Sequence, residues 1–197
     1  MKITDNIRYI GVDDTTLDLF ESQYMIPNGI SYNSYLILDD KIAIMDCVDK
    51  RKEAQWLANL TEVLAGKTPD YLIVHHMEPD HSGCIEHLMH CYPDMQIVTS
   101  ARAVQMLSQF FVDTDFSNRT ITIKEGDTLS LGNHTLQFIM APMVHWPEVF
   151  VSYEQSEKIL FSADAFGKFG ALSHEEEWAC EARRYYFNIC GKYGAQV

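Results

Sequence analysis

The sequence predicts an αββα sandwich, two sheets packed face to face with helices outside. Short strand-like runs open the chain, helical periodicity dominates its middle, and a second block of consecutive strands follows Ser117 before a last helical segment. Each sheet-rich block has an apolar face to cover, and packing the two against each other with helices outside covers both. The 197 residues, 47% of them hydrophobic, suffice for a substantial core, and a single domain over 1–197 is expected.

The elements follow in order. Strands are expected over Lys2 to Ile10, Ser31 to Leu38 and Lys41 to Val48, the last two joined at Asp39-Asp40. From Asp49 to Ala65, Leu57, Leu60 and Leu64 recur at helical spacing until Gly66 and Pro69 stop the helix. The apolar run Tyr71 to Val74 is a short buried strand. A helix over about Ser82 to Tyr92, a strand over Met95 to Thr99 and a helix over Ala101 to Phe111 come next, the last turning Val104, Leu107 and Phe111 inward. Strands then run over Thr120 to Lys124, Thr128 to Leu131, His134 to Ala141, Val149 to Tyr153 and Lys158 to Phe161, with Gly126-Asp127 and Gly132-Asn133 as turn residues. Ser173 and Glu176 form a capping-box signature for a final helix whose apolar stripe is Trp178, Ala182, Tyr185 and Ile189.

A net charge of -13 disfavours nucleic acid and anionic membranes as partners, because both would be repelled. No basic segment followed by an apolar run opens the chain and no apolar stretch reaches spanning length, so a cytoplasmic protein is expected. Cys47, Cys84, Cys91, Cys180 and Cys190 are odd in number and lack a Cys-x-x-Cys pair, which suits reduced thiols serving as buried spectators.

The chemistry concentrates in His-Met-Glu-Pro-Asp-His. His76, Glu78 and Asp80 share a face of an extended segment, His75 and Met77 point away, and the turn at Pro79 brings His81 round beside them. Imidazole and carboxylate together suit first-row metals, and four such ligands are too many for one open ion but right for two adjacent half-filled ones. His145, before Trp146-Pro147, and Asp164, after Ile159 to Phe161, occupy strand-end loops where functional side chains gather. Taken singly, His145 reads equally as a half-buried loop histidine and Asp164 as a turn former; with the first motif they complete a metal-binding constellation.

This ordered set, His76-x-Glu78-x-Asp80-His81 with His145 and Asp164, resembles the metal-binding core of flavodiiron proteins, which are built on the metallo-β-lactamase fold. The stretches Gly29 to Ile37, His145-Trp146-Pro147-Glu148, Phe161 to Gly167 and Arg183 to Ile189 extend the resemblance over essentially the whole chain. It implies two non-haem irons, with His76, Glu78 and His145 on one, Asp80 and His81 on the other, and Asp164 bridging. Asp46 resembles the aspartate that supports this site from behind, and reads equally as a turn aspartate. The zinc hydrolases of the fold carry histidine where Glu78 stands; the added carboxylate favours iron.

The family's last ligand histidine and its flavodoxin-like FMN domain have no counterpart here, so the sandwich is expected to be C-terminally incomplete, truncated before its last strand. FMN is then expected only in a further domain or a partner chain. His75, His87, His90, His134 and His174 are poor replacements for the absent ligand. The resemblance implies reduction of dioxygen to water or of nitric oxide to nitrous oxide, a rubredoxin-like or flavin electron donor, and a homodimer or association with a C-terminal half. A dinuclear zinc hydrolase and a catalytically incomplete half of a split protein are the competing readings.

Overall fold

The computed structural model describes residues 1–175 and 177–197. Its N-terminal third is a set of short strands: β1 (Ile7–Tyr9), β2 (Val12–Asp14), β3 (Leu19–Phe20), β4 (Tyr24–Met25), β5 (Ile30–Tyr32), β6 (Tyr35–Ile37) and β7 (Ala43–Met45). Then come α1 (Glu53–Leu64), β8 (Tyr71–Ile73), α2 (Pro79–Ser82), α3 (Ile85–Cys91), β9 (Gln96–Ser100), α4 (Ala101–Phe110) and β10 (Thr120–Ile123). The remainder is β11 (Thr128–Ser130), β12 (Thr135–Met140), β13 (Phe150–Glu154), β14 (Ile159–Phe161) and α5 (Trp178–Tyr185).

One six-stranded sheet has the order β1-β6-β7-β8-β9-β10, and a four-stranded sheet is the meander β11-β12-β13-β14. From β7 to β10 the first sheet is parallel. Parallel neighbours need crossovers, which α1, α2 with α3, and α4 supply. Strands so enclosed are apolar on both faces, and side chains sort by the period of two. Ile44, Leu72 and Ile97 join Trp56, Leu60, Ile85 and Leu107 in the core under the helices. Ala43, Met45, Ile73 and Val98 face Leu136, Phe138, Phe150 and Phe161 of the second sheet in a separate core. Two sheets face to face with helices on the outer side of the first match three layers of the expected αββα sandwich. The outer face of the second sheet leaves Ile139 and Leu160 exposed, and the last helix packs its Tyr185 into the core of the first sheet.

Details depart from expectation for local reasons. The run Ser31 to Leu38 divides between two sheets: β5 pairs with β2, whereas β6 pairs with β1 and β7. Buried Ser34 makes the break, its Oγ donating to the Asp46 carbonyl and its own carbonyl accepting from Ile10 N. The helix expected from Ser82 starts earlier, with Pro79 in the first turn where its missing N–H is harmless, and is broken between α2 and α3. Gly83 allows the break to pack, since a Cβ there would lie 2.7 Å from the Pro79 carbonyl oxygen and 2.9 Å from Lys50 N. The β3–β4 hairpin, with Glu21 and Ser22 at positive φ, was not expected.

In the final stripe Tyr185 and Ile189 are buried, while Trp178 is 61% exposed and so lies off the core face. Glu176 of the capping-box signature lies outside the described residues. Cys47, Cys84 and Cys190 are buried, but Cys91 and Cys180 are exposed, so the expectation of buried spectators fails for those two. Among the described residues no helix is long and apolar enough to cross a membrane.

Candidate metal centre

The site forms where parallel strands end and loops from both sheets meet. Past β8, Val74 N still bonds the Val98 carbonyl before the chain passes through His76, and α2 then carries Asp80 and His81 on a single helical turn. The β12–β13 loop delivers His145, and the loop after β14 delivers Asp164. Asp46 follows β7, and Asp46 and Ala163 adopt positive φ beside the site, as does Met143. Such backbone conformations persist only where the surroundings hold them.

His76, Glu78, His145 and Asp164 each offer a ligand atom, and these atoms lie within 4.8 Å of one another. His76 Nε2 is 3.3 Å from Glu78 Oε2 and 3.3 Å from His145 Nε2, and His145 Nε2 is 2.9 Å from Glu78 Oε2. Asp164 stands between this group and the second. Its Oδ2 lies 3.3 Å from His76 Nε2 and 3.5 Å from His145 Nε2, while its Oδ1 lies 3.3 Å from His81 Nε2. Asp80 is the outer member, with Oδ2 4.0 Å from His81 Nε2 and Oδ1 buried without a hydrogen-bond partner.

Three contacts orient these groups. His76 Nδ1 donates to Glu148 Oε1 at 2.7 Å, and His81 Nδ1 donates to Asp46 Oδ2 at 3.2 Å. With each Nδ1 proton directed at a carboxylate, Nε2 is the nitrogen turned inward, and it offers its lone pair to a metal that displaces the Nε2 proton. Tyr185 Oη donates to Asp164 Oδ1 at 2.6 Å. His75, which points away from the cluster as expected, donates from Nδ1 to Asp46 Oδ2 at 3.1 Å and meets Ser152 Oγ through Nε2 at 2.7 Å.

The electrostatics are those of an acidic cluster. Burial opposes charge on His76, but Glu148 and Glu78 hold it up, to about 9; His145, facing Asp164 and Glu78, is raised to about 10. Glu78 is buried yet drawn down to about 2 by both histidines. Asp80 is pushed up to about 7 by burial, against the pull of His81 and with the repulsion of Glu78 and Asp164. A multivalent cation satisfies this arrangement: imidazole nitrogens aimed at one point, convergent carboxylates and an unpartnered buried oxygen on Asp80. The residues therefore fit metal. A cavity of about 80 Å³ beside Asp80, His81 and Asp164 is walled by Phe20, Ile30, Tyr32 and Tyr185.

Sequence reasoning missed Glu148 and Tyr185. Glu148 stood in the His-Trp-Pro-Glu turn, but nothing in a single sequence signals that a carboxylate is buried against a histidine 72 positions away. Tyr185 fell on an apolar helix stripe, which concealed its hydroxyl.

Fold and site together define a metallo-β-lactamase-type sandwich with a metal-binding cluster of histidines and carboxylates. The sequence pattern described as "ODP family beta lactamase" matches residues 30–190, and the chain belongs to that family. It is 36% identical over 195 residues to a nitric oxide reductase of Moorella thermoacetica, covering 95% of this chain and 48% of that protein. An anaerobic nitric oxide reductase flavorubredoxin of Vibrio vulnificus is 32% identical, over 99% of this chain and 41% of that one. The structure of rubredoxin oxygen:oxidoreductase from Desulfovibrio gigas superposes with a TM-score of 0.93 at 32% identity, covering 100% of this chain and 50% of that one. The flavodiiron protein of Giardia intestinalis gives 0.90 at 26% identity, over 99% and 49%. The chain spans about half the length of these relatives.

Proposed function

We propose that the chain is the diiron domain of a flavodiiron oxidoreductase, reducing dioxygen to water or nitric oxide to nitrous oxide. His76, Glu78 and His145 would hold one iron and Asp80 and His81 the other, with Asp164 placed to serve both. The observation that carries this reading is the Asp164 carboxylate, with Oδ2 toward His76 and His145 and Oδ1 toward His81. Residues 1–197 act as one metal-binding domain. FMN, a rubredoxin-like or flavin electron donor, and a second copy of the chain or a C-terminal half are the partners that go with this function. The names of relatives, a flavorubredoxin and a rubredoxin oxygen:oxidoreductase, support the flavin and rubredoxin among them.

Bound iron supplies the electrons and open coordination positions for reducing a diatomic; the residues do the rest. Glu148 and Asp46 keep the Nδ1 protons of His76 and His81 in place, so neither ring turns its lone pair away. The Tyr185 hydroxyl holds the plane of Asp164. Phe20 and Ile30 keep the small cavity apolar on one side, which suits an uncharged diatomic and limits water. Glu78 supplies negative charge where the zinc hydrolases carry a neutral imidazole, which disfavours the hydrolytic reading.

The test is anaerobic reconstitution with ferrous iron, elemental analysis per chain, and measurement of oxygen and nitric oxide consumption with reduced flavin supplied. Consumption of either gas is expected. Two irons bound with neither gas consumed would overturn the proposal.

A further inference from the structure

Two thiols outside the donor set lie against the loop that carries it. Cys47 follows Asp46 at the exit from β7, and Cys84 lies between α2 and α3, just past His81. Cys47 is 0% exposed and Cys84 1%. Cys47 Sγ donates to the His81 carbonyl at 3.0 Å, and the Cys84 backbone N–H donates to Cys47 Sγ at 3.3 Å. Cys84 Sγ in turn donates to the Val48 carbonyl at 3.2 Å. The Cys84 N–H on Cys47 Sγ sets the two residues side by side, and burial pushes the Cys47 thiol well above its usual value. The backbones are already fastened together, since Cys47 N donates to the His81 carbonyl at 3.0 Å. At Gly83 a side chain would strike Lys50 N at 2.9 Å and the Val48 carbonyl at 3.2 Å.

We propose that Cys47 and Cys84 are an oxidation site, a thiol pair that hydrogen peroxide closes to a disulfide beside the metal-binding loop. Neither sulfur belongs to the donor set, so the inference does not depend on which metal is bound or on the reaction it serves. The chemistry needs only peroxide. One sulfur attacks a peroxide oxygen and the O–O bond breaks. The thiol proton goes to the departing oxygen as water, leaving a sulfenic acid. The second sulfur attacks the first, the S–O bond breaks, and the second thiol proton leaves with that oxygen as another water. Two thiols and one peroxide give one disulfide and two waters, the sulfurs losing the two electrons that the peroxide oxygens gain.

The consequence is local. Oxidation removes the Cys47 Sγ donor from the His81 carbonyl but leaves the backbone donor, and it ties the strand end bearing Asp46 to the helical turn bearing His81. Closing a loop between residues 37 positions apart restricts the unfolded chain, so the oxidised protein is the more stable form. Burial makes the pair slower to react than exposed Cys91 and Cys180.

The test uses the whole chain carrying Cys91→Ser and Cys180→Ser, treated with hydrogen peroxide while folded and digested without reductant. The expected product is a cross-linked peptide joining Cys47 to Cys84, lighter by two hydrogens and released by dithiothreitol, with a rise in Tm that the same reductant reverses. Sulfinic or sulfonic acid at either residue without the cross-link, a cross-link to Cys190 instead, or both thiols still alkylatable after unfolding would overturn it. Should the double variant fail to fold, the parent chain with its exposed thiols alkylated beforehand gives the same readout.

Discussion

The Glu148 carboxylate and the His76 imidazole share a 2.7 Å hydrogen bond with both side chains wholly buried. Glu148 Oε1 also accepts from Met77 N at 2.9 Å, so one oxygen fixes both the ring and the backbone of the metal-binding segment. Glu148→Gln keeps the volume and removes the charge that makes the ring basic. Supporting contacts of this kind typically contribute 10–100-fold to metal affinity, and a loss of about that size is expected. Competition titration against a chelator measures it, with circular dichroism showing the fold retained; unchanged affinity would assign Glu148 to the backbone alone.

Tyr185 meets Asp164 inside the protein, its ring edge-to-face with Phe169 at 5.0 Å. Tyr185→Phe keeps that ring packing and deletes one hydrogen bond to a buried carboxylate. Bonds to charged groups contribute roughly 1.5–3 kcal/mol, so urea denaturation of the metal-free chain should show a loss in that range. Metal stoichiometry should persist, because Asp164 keeps both oxygens. A chain that loses metal but not stability would contradict this division of roles.

Legibility in the sequence followed the range of the interaction. The alternation of strands and helices from β7 to α4 and the strand run β11–β14 were readable because periodicity and turn residues act within a few positions, but β10, read with the second block, pairs in parallel with β9 in the first sheet. His76, Glu78, Asp80 and His81 stood out because their spacing is local, and His145 and Asp164 because each ends a readable strand. The split of Ser31 to Leu38 between two sheets depends on Ser34 reaching the Asp46 carbonyl, a contact no local pattern encodes. Glu148 and Tyr185 were missed for the same reason: each acts through one atom on a partner distant in sequence.

Asp39 and His134 pin the β6–β7 turn to the start of β12. Asp39 Oδ2 lies 2.7 Å from His134 Nδ1 and accepts from His134 N, also at 2.7 Å. Burial opposes charge on both partners. The His134 ring and backbone N–H groups nonetheless hold Asp39 well below the usual carboxylate range, and Asp39 with Glu154 raises His134. A raised histidine stabilises fully below its unfolded value, near 6.5, and less as pH climbs through its folded value; a depressed aspartate stabilises fully above about 4 and less as pH falls. Both contributions are complete between about pH 4 and 6.5. Denaturation of Asp39→Asn against the parent chain should show its largest deficit in that window, shrinking at higher pH. A deficit that does not shrink as pH rises above that window would mean the His134 ring contributes nothing and the backbone bond alone matters.

On the proposed diiron reading Asp80 serves one metal and Asp164 both, and metal stoichiometry tests it. Asp164 faces both His76 and His81, whereas Asp80 approaches only the His81 side, 4.0 Å away. Asp80→Asn should therefore leave one strongly held metal per chain, and Asp164→Asn should weaken both positions. Thermal stability follows by mass action. Free metal at a hundredfold excess over Kd stabilises the folded chain by about 2.7 kcal/mol per site, and a second filled site adds as much again. Titrating ferrous iron anaerobically while following Tm should give the largest rise for the parent chain, an intermediate rise for Asp80→Asn and the smallest for Asp164→Asn. Equal rises for the two variants would show that Asp164 serves one metal rather than two.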